Sequence, residues 1–347
     1  MILKNVNLLP HTKGNLFIPV KDMNPGEIIV LEAFDKNNLL IDKYNLRLKE
    51  EDETEQNPMV SGATDVSETQ NKLYVSCNDG IKITIDKKTG LIENVKTGKG
   101  TMKFSGPYVN LRLEGKAIDY MRFHIDDYGN GWKKKHLSYS KEGNNTIISV
   151  KGKTDKLSSI DYQITIKPDA SVSVQYTFGK IPKKRIHEVG VKFDLDKRYD
   201  SLSWKRKAYW SYYMPGSLSA PEMTVPLYSD TANEYRKKPK KEWIYDTKSF
   251  YYNGTEKEDI KNQLTFVAKA TKENILQYNL YEKNGNRITV NGDADVSCRI
   301  AGNKDGITLY ANNLIDYFNI GWGNYQRNIT LDKTYTNESK FLLISSD

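Results

Sequence analysis

The side chains with the most chemical reach in this sequence are aromatic. Trp322 stands between Gly321 and Gly323, and an indole flanked by glycine is exposed and able to stack on the apolar face of a sugar ring. The alternative for Trp322 is packing in a core. Tyr325 follows three positions on, and Trp132, Trp210 and Trp243 are further indoles outside evident strands. The four histidines, His11, His124, His136 and His187, contain no close pair with metal-ligand spacing. His187 precedes Glu188 in a strand-like run; neighbours on a strand point to opposite faces, so the two cannot share one pocket as an acid–base pair. The plain reading of His187 is a hydrogen-bonded strand residue. Asp126, Asp127 and Asn130 lie in one acidic, glycine-bearing run, and their oxygens suit a hard cation such as Ca2+; the alternative is a solvated turn, and no other cofactor is expected. Cys77 and Cys298 are more than 200 positions apart with no zinc spacing, which leaves either two buried thiols or one disulfide.

The elements that must hold these residues read almost entirely as strands. Leu73, Val75 and Cys77 alternate with polar residues, as do Ile81, Ile83 and Ile85, and Asp86-Lys87-Lys88-Thr89-Gly90 supplies a turn; this is a hairpin pattern of period two. Lys96 to Gly100 forms a second Gly-rich turn, and Gly106-Pro107 marks a chain reversal or a strand edge. Further strands are expected over 146–150, 161–166, 171–178, 188–195, 264–268, 277–281, 307–311 and 341–344. Lys167-Pro168-Asp169-Ala170 joins two of them as a hairpin. Helix is scarce, with a turn or two expected over Glu256–Gln263 and another over Asn312–Asp316. Residues 204–254 interrupt the pattern with three of the five tryptophans and four prolines, a long loop of the kind that packs over a sheet and carries function.

Composition narrows the classes. The chain has 347 residues, 38% hydrophobic, with a net charge of +8 and a mean hydropathy of −0.67, as an antiparallel sheet with one wet face requires. The basic runs Lys133-Lys134-Lys135, Lys183-Lys184-Arg185 and Arg236-Lys237-Lys238 with Lys240-Lys241 accompany no nucleic-acid module, so solvated loops are expected and nucleic acid is not an expected partner. No apolar run is long enough for a membrane span. No compartment can be read from the chain; for a longer parent the expectation is the periplasm or secretion.

The run GIKITIDKKTGLIENVKTGKG, followed by FSGPYVNLRL, resembles the opening of the C-terminal β-sandwich domain of glycoside hydrolase family 2 enzymes, the β-galactosidase small-chain domain. Gly90-Leu91-Ile92, Gly106-Pro107 and Leu111-Arg112 fill its places. Asp316 to Tyr325 resembles that family's glycine-tryptophan loop, which implies a sugar contact for Trp322. Two features depart from the pattern. Tyr213-Met214-Pro215-Gly216 replaces a Gly-x-Gly-Pro-x-Glu-x-Tyr type motif, and residues 123–132 keep only the acidic, glycine-rich character of the family's loop there.

The resemblance implies an all-β protein, a large antiparallel β-supersandwich of the galactose mutarotase-like kind preceded by a partial immunoglobulin-like β module. The expected boundaries are 1–50 for the immunoglobulin-like part, 51–70 for an acidic polar linker and 71–347 for the supersandwich. An incomplete sandwich at the start suggests the back end of a longer protein. Hydrolysis needs two carboxylates about 5–5.5 Å apart when configuration is retained, and the family sets them on a (β/α)8 barrel, the acid following an asparagine. Asn233-Glu234 and Asn337-Glu338 are the only such pairs. The first sits in the long loop and the second in an expected hairpin turn, with no alternating βα units around them. The implied function is therefore a non-catalytic domain that buttresses a catalytic barrel and contributes to carbohydrate binding, with a galactoside or plant oligosaccharide as partner. The alternatives are a freestanding carbohydrate-binding module and a mutarotase-like sugar epimerase. The site residues expected on carbohydrate are Trp322, Tyr325, Trp210, Trp132 and His187.

Overall fold

Alternation in this sequence resolves into nineteen strands in a computed structural model that describes residues 24, 27–47, 62–117, 123–210, 212–214, 216–227, 244–246, 270–316 and 329–345. The chain divides into two units, Met1–Met59 and Val60–Asp347. In the first, β1 (Ile28–Phe34) and β2 (Leu40–Arg47) pair antiparallel. Asp35 organises their turn, its Oδ1 accepting from the backbone N–H groups of Asn37 and Leu39 at 2.8 Å. The remainder of the expected immunoglobulin-like module lies outside the described residues.

The second unit begins earlier than the sequence suggests. Thr64 donates its N–H to Asn144 O at 2.9 Å, and β3 (Asp65–Glu68) pairs with β4 (Lys72–Ser76). Residues 65–68 of the expected linker are thus strand; a single inward Val66 and ladder hydrogen bonds suffice at a sheet edge. The meander continues through β5 (Lys82–Asp86), β6 (Leu91–Thr97) and β7 (Gly100–Ala117). β7 changes partner as it passes Gly106-Pro107: its first part pairs with β6, its second with β8 (Phe123–Asp127) and with β13 (Ile186–Leu195). Gly106-Pro107 therefore sits inside a strand, neither at a reversal nor at an edge.

A second meander runs through β9 (Lys133–Glu142), β10 (Asn145–Lys153), β11 (Ser159–Ile166) and β12 (Ser171–Gly179) to β19 (Thr334–Ser345). β14 (Tyr199–Arg206) lies between β15 (Glu222–Pro226) and β16 (Lys272–Glu282). Two long strands tie the layers together. β17 (Asn286–Gly302) pairs with β16 throughout; its first half also pairs with β19 and its second half with β18 (Ile307–Ile315). The ladder closes on itself, all of it antiparallel apart from isolated bridges, so the all-β, large antiparallel class read from the sequence holds. Between the layers, the Phe104 and Phe193 rings stack at 4.2 Å and Phe341 meets Phe193 edge-on at 4.8 Å. These three rings join β7, β13 and β19 across the core.

Two local expectations are overturned. Asn312–Asp316 is not a helical turn: Asn312 lies in β18, opposite Gly190 and Ser297, and ladder pairing on both sides outweighs the turn preference of asparagine. Asn337-Glu338 is not a hairpin turn but the middle of β19, opposite Tyr176 and Gln175. The helical turn expected over 256–263 and the strand over 264–268 lie outside the described residues. Both cysteines are free, Cys298 buried and Cys77 half-buried. No helix among the described residues is long and apolar enough to cross a membrane.

Candidate functional site

Strand β13 sorts its side chains by alternation. From Glu188 onward, Val189, Val191, Phe193 and Leu195 occupy one face and Glu188, Gly190, Lys192 and Asp194 the other; at His187 the register against β7 shifts and the alternation is interrupted. Register then assembles the polar face from four strands. Opposite Glu188, Gly190 and Lys192 on β7 lie Arg112, Asn110 and Tyr108. On β18, Asn312, Tyr310 and Thr308 oppose Gly190, Lys192 and Asp194, and β17 adds Arg299 opposite Tyr310. Gly190 makes the central contact feasible: a Cβ there would lie 2.1 Å from Ala311 O. Over this glycine, Asn110 Nδ2 reaches across the middle strand to Asn312 Oδ1 at 2.7 Å.

The inner row of this face is a sealed charge network. Arg299 donates from Nε to Glu188 Oε1 at 3.0 Å and from Nη2 to Oε2 at 3.1 Å. Asn110 Nδ2 adds a bond to Glu188 Oε2 at 2.8 Å, and the Arg299 guanidinium lies 3.7 Å from the Tyr310 ring centre. Burial would raise the Glu188 carboxyl, but the charges of Arg299 and Arg112 and these hydrogen bonds hold it below its ordinary range. With its lone pairs taken by protein donors, Glu188 has little left to offer as a nucleophile or base.

The outer row opens into a cavity of about 330 Å3. Tyr108, Lys192, Asp194, Thr308 and Tyr310 line it from the strands, Asn303 from the β17–β18 turn, and Asn130 and Trp132 from the loop after β8. That loop lies directly on β7, where a Cβ at Gly129 would come 2.3 Å from Val109 O. Trp132 is anchored by its Nε1, which donates to Thr89 O at 2.9 Å, and by its ring, 5.6 Å from that of Tyr162. Asp194 is positioned through Oδ1, which accepts from Thr308 Oγ1 at 2.9 Å and from Asn303 Nδ2 at 3.4 Å. Tyr108 shares a hydrogen bond with Ser105 Oγ at 2.8 Å, and its hydroxyl pKa is raised by burial. Aromatic faces beside a few convergent donors and acceptors are the usual make-up of a small-ligand site.

Of the residues expected on carbohydrate, Trp132 alone lines this cavity; Asn130, singled out as a cation ligand, lines it as well. His187 is 1% exposed and sits at the register shift of β13 against β7; burial, with help from the Arg185 charge, pushes its pKa down to about 3. It offers no surface to a ligand, and the alternation expected to separate it from Glu188 is interrupted at this position by the register shift. Trp210 is 74% exposed and stands apart from the cavity, its N–H donating to Tyr213 OH at 3.1 Å. Trp322, Tyr325, Trp243 and the Asn233-Glu234 pair lie outside the described residues. Glu338 bonds Ser173 across the β12–β19 ladder.

Asp126 and Asp127 diverge. Asp126 faces Lys184 at 2.7 Å and Lys156 at 3.1 Å, and the Lys184 hydrogen bond holds its carboxyl below the usual range. Asp127 faces Lys192 at 3.9 Å and Arg112 at 4.0 Å and accepts from Gly129 N at 2.7 Å. The two side chains therefore answer to protein cations on opposite sides of β8, and no cluster of three or more metal-ligating residues occurs among the described residues. Tyr108, Lys192, Asp194, Thr308 and Tyr310 were not singled out from the sequence. Their one signal was polarity at alternate positions of otherwise apolar strands, as in Val191-Lys192-Phe193-Asp194-Leu195.

Residues 77–212 match the family described as beta galactosidase small chain, and no curated protein sequence matches the chain. Among solved structures, alpha-N-acetylgalactosaminidase NagBb from Bifidobacterium bifidum is 8% identical with a TM-score of 0.42, over 78% of this chain and 36% of that one. The chain thus spans about a third of the length of that enzyme. Galactose 1-epimerase from Lactobacillus acidophilus NCFM is 12% identical with a TM-score of 0.41, over 83% of this chain and 100% of that one. A putative aldose 1-epimerase from Escherichia coli K12 is 9% identical with a TM-score of 0.38, over 81% and 98%. Residues 77–212, which hold β5 to β14 and the cavity's Tyr108, Trp132, Lys192 and Asp194, are therefore of the beta galactosidase small chain type.

Proposed function

We propose that this chain is a non-catalytic, carbohydrate-binding domain of a β-galactosidase-like protein of glycoside hydrolase family 2, with the cavity over β7, β13 and β18 as its sugar site. The observation that carries this reading is the cavity lining: three aromatic rings, Tyr108, Trp132 and Tyr310, beside Lys192, Asp194, Asn303 and Thr308. Rings stack on the apolar face of a pyranose, and the polar groups accept and donate hydrogen bonds to its hydroxyls. A volume of about 330 Å3 lies at the small end of ligand pockets and suits a single sugar ring. The non-catalytic half of the reading is supported by Glu188, which is saturated by Arg299 and Asn110, and by the burial of His187. Support of a catalytic barrel elsewhere in a longer polypeptide belongs to the same proposal.

Calorimetric titration of the chain with galactose, other monosaccharides and plant oligosaccharides tests it, alongside Trp132→Ala and Lys192→Met. Saturable binding is expected in the wild type, weakened at least tenfold in both variants, with no hydrolysis of an aryl galactoside. Absence of heat with every sugar at tens of millimolar would remove the carbohydrate reading and leave a scaffold domain.

A further inference from the structure

We infer that the cavity accepts uncharged sugar rings and rejects anionic ones, and that Asp194 makes the distinction; the inference rests on the carbohydrate reading above. The charges of the polar face are already matched. Arg112, Lys192 and Arg299 stand against Asp127, Glu188 and Asp194, three of each sign. Glu188 is held by Arg299 through two hydrogen bonds. Asp127 is faced by both Lys192 at 3.9 Å and Arg112 at 4.0 Å. Among the described residues Lys192 is the one cation on the cavity wall; its charge is balanced by Asp127 at 3.9 Å, a distance that leaves its N–H donors open, and no net positive charge in the network is left over for an anionic ligand.

Asp194 makes the wall selective. Its Oδ1 accepts from Thr308 Oγ1 at 2.9 Å and from Asn303 Nδ2 at 3.4 Å, and these donors fix the carboxylate against the β17–β18 turn. Its Oδ2 has no hydrogen-bond donor among the described residues. A carboxylate oxygen is an acceptor only, so its ligand partner must be a donor. A sugar hydroxyl provides one. A uronate carboxylate or a sulfate ester provides none and adds a second negative charge beside Asp194. Lys192, two residues along β13 on the same face, is a donor about 7 Å from Asp194 by strand geometry. Lys192 and Asp194 thus present one donor and one acceptor to opposite sides of a ring stacked on Tyr108.

The test is calorimetric titration of the full chain with galactose and with galacturonate at pH 7, and with glucose and glucuronate as a second pair. Each neutral sugar is expected to bind at least tenfold more tightly than its uronate. In Asp194→Asn, which keeps shape and removes charge, the ratio is expected to fall toward one. Salt gives a reading that needs no variant: between 0.02 and 0.5 M NaCl the uronate should tighten as repulsion is screened, while the neutral sugar stays constant. A uronate that binds as tightly as its neutral parent, or that weakens with salt, overturns the inference and leaves the sugar site standing. Failure of every sugar to bind overturns the carbohydrate reading beneath it.

Discussion

Glu188 and Arg299 show how much of this site a sequence can disclose one residue at a time. Period-two alternation assigns each to a face of its strand, but it does not foresee the register shift at His187 that interrupts it. It cannot assign partners: Glu188 meets Arg299 from 111 residues away and Asn110 from 78, and Asn110 meets Asn312 from 202. Only strand order supplies those pairs. Because Glu188 and Arg299 are both buried, removal of one leaves the other charged without its main counter-charge. Arg299→Ala or Glu188→Ala is expected to cost about 3–5 kcal/mol, whereas the joint change Glu188→Leu with Arg299→Met costs much less than the sum of the single changes. Urea unfolding of the three variants decides this. Near-additive losses would mean the pair stabilises each residue no more than its other neighbours do.

At the level of elements, the meander from β4 to β7 and the hairpin β11–β12 were legible because each strand pairs with its chain neighbour and the turn residues lie between them. Elements defined by distant pairing were not. Asn312 carries local turn signals, yet β13 and β17 hold it in a ladder on either side. Asn337-Glu338 carries the same local signals inside β19. β3 has so little apolar content that composition alone reads it as linker. The junction of β7, β13 and β18 also depends on Gly190, whose added Cβ would meet Ala311 O at 2.1 Å and Asn312 Cα at 2.6 Å. Both are backbone atoms, so the strands themselves would have to part. Gly190→Ala is expected to destabilise by roughly 1–3 kcal/mol, the range for forced overpacking, and to weaken sugar binding by displacing Tyr310 and Thr308. Thermal melts and titration on the same sample check both. A variant with wild-type stability would show that β18 slides freely past β13.

Across the whole molecule, burial of ionisable groups sets how stability depends on pH. His187 has a pKa of about 3 in the fold against an ordinary 6.5. Between those values the unfolded chain binds the more protons, so stability falls as pH falls, by about 2 kcal/mol at pH 5 from this residue alone. Glu188, held low by Arg299 and Arg112 against the effect of burial, adds to the loss once pH enters the carboxylate range. Asp246, raised by burial, opposes it. On the alkaline side Lys272 lies over the Trp204 ring at 4.4 Å, and burial lowers it from 10.5 to about 8. The unfolded chain again binds the more protons, now between pH 8 and 10.5, so stability rises with pH, by about 2 kcal/mol at pH 9.5. Buried Tyr162, Tyr199 and Tyr278, all raised by burial, reverse that gain above their ordinary value near pH 10, because the unfolded chain then loses their protons first. Subtraction isolates the two residues from the rest. The stability difference between wild type and His187→Gln should change by about 2 kcal/mol from pH 7 to 5, and that between wild type and Lys272→Met by a similar amount from pH 7 to 9.5. Urea unfolding at five pH values would measure both, and a flat difference curve for either variant would mean that its buried group reaches water.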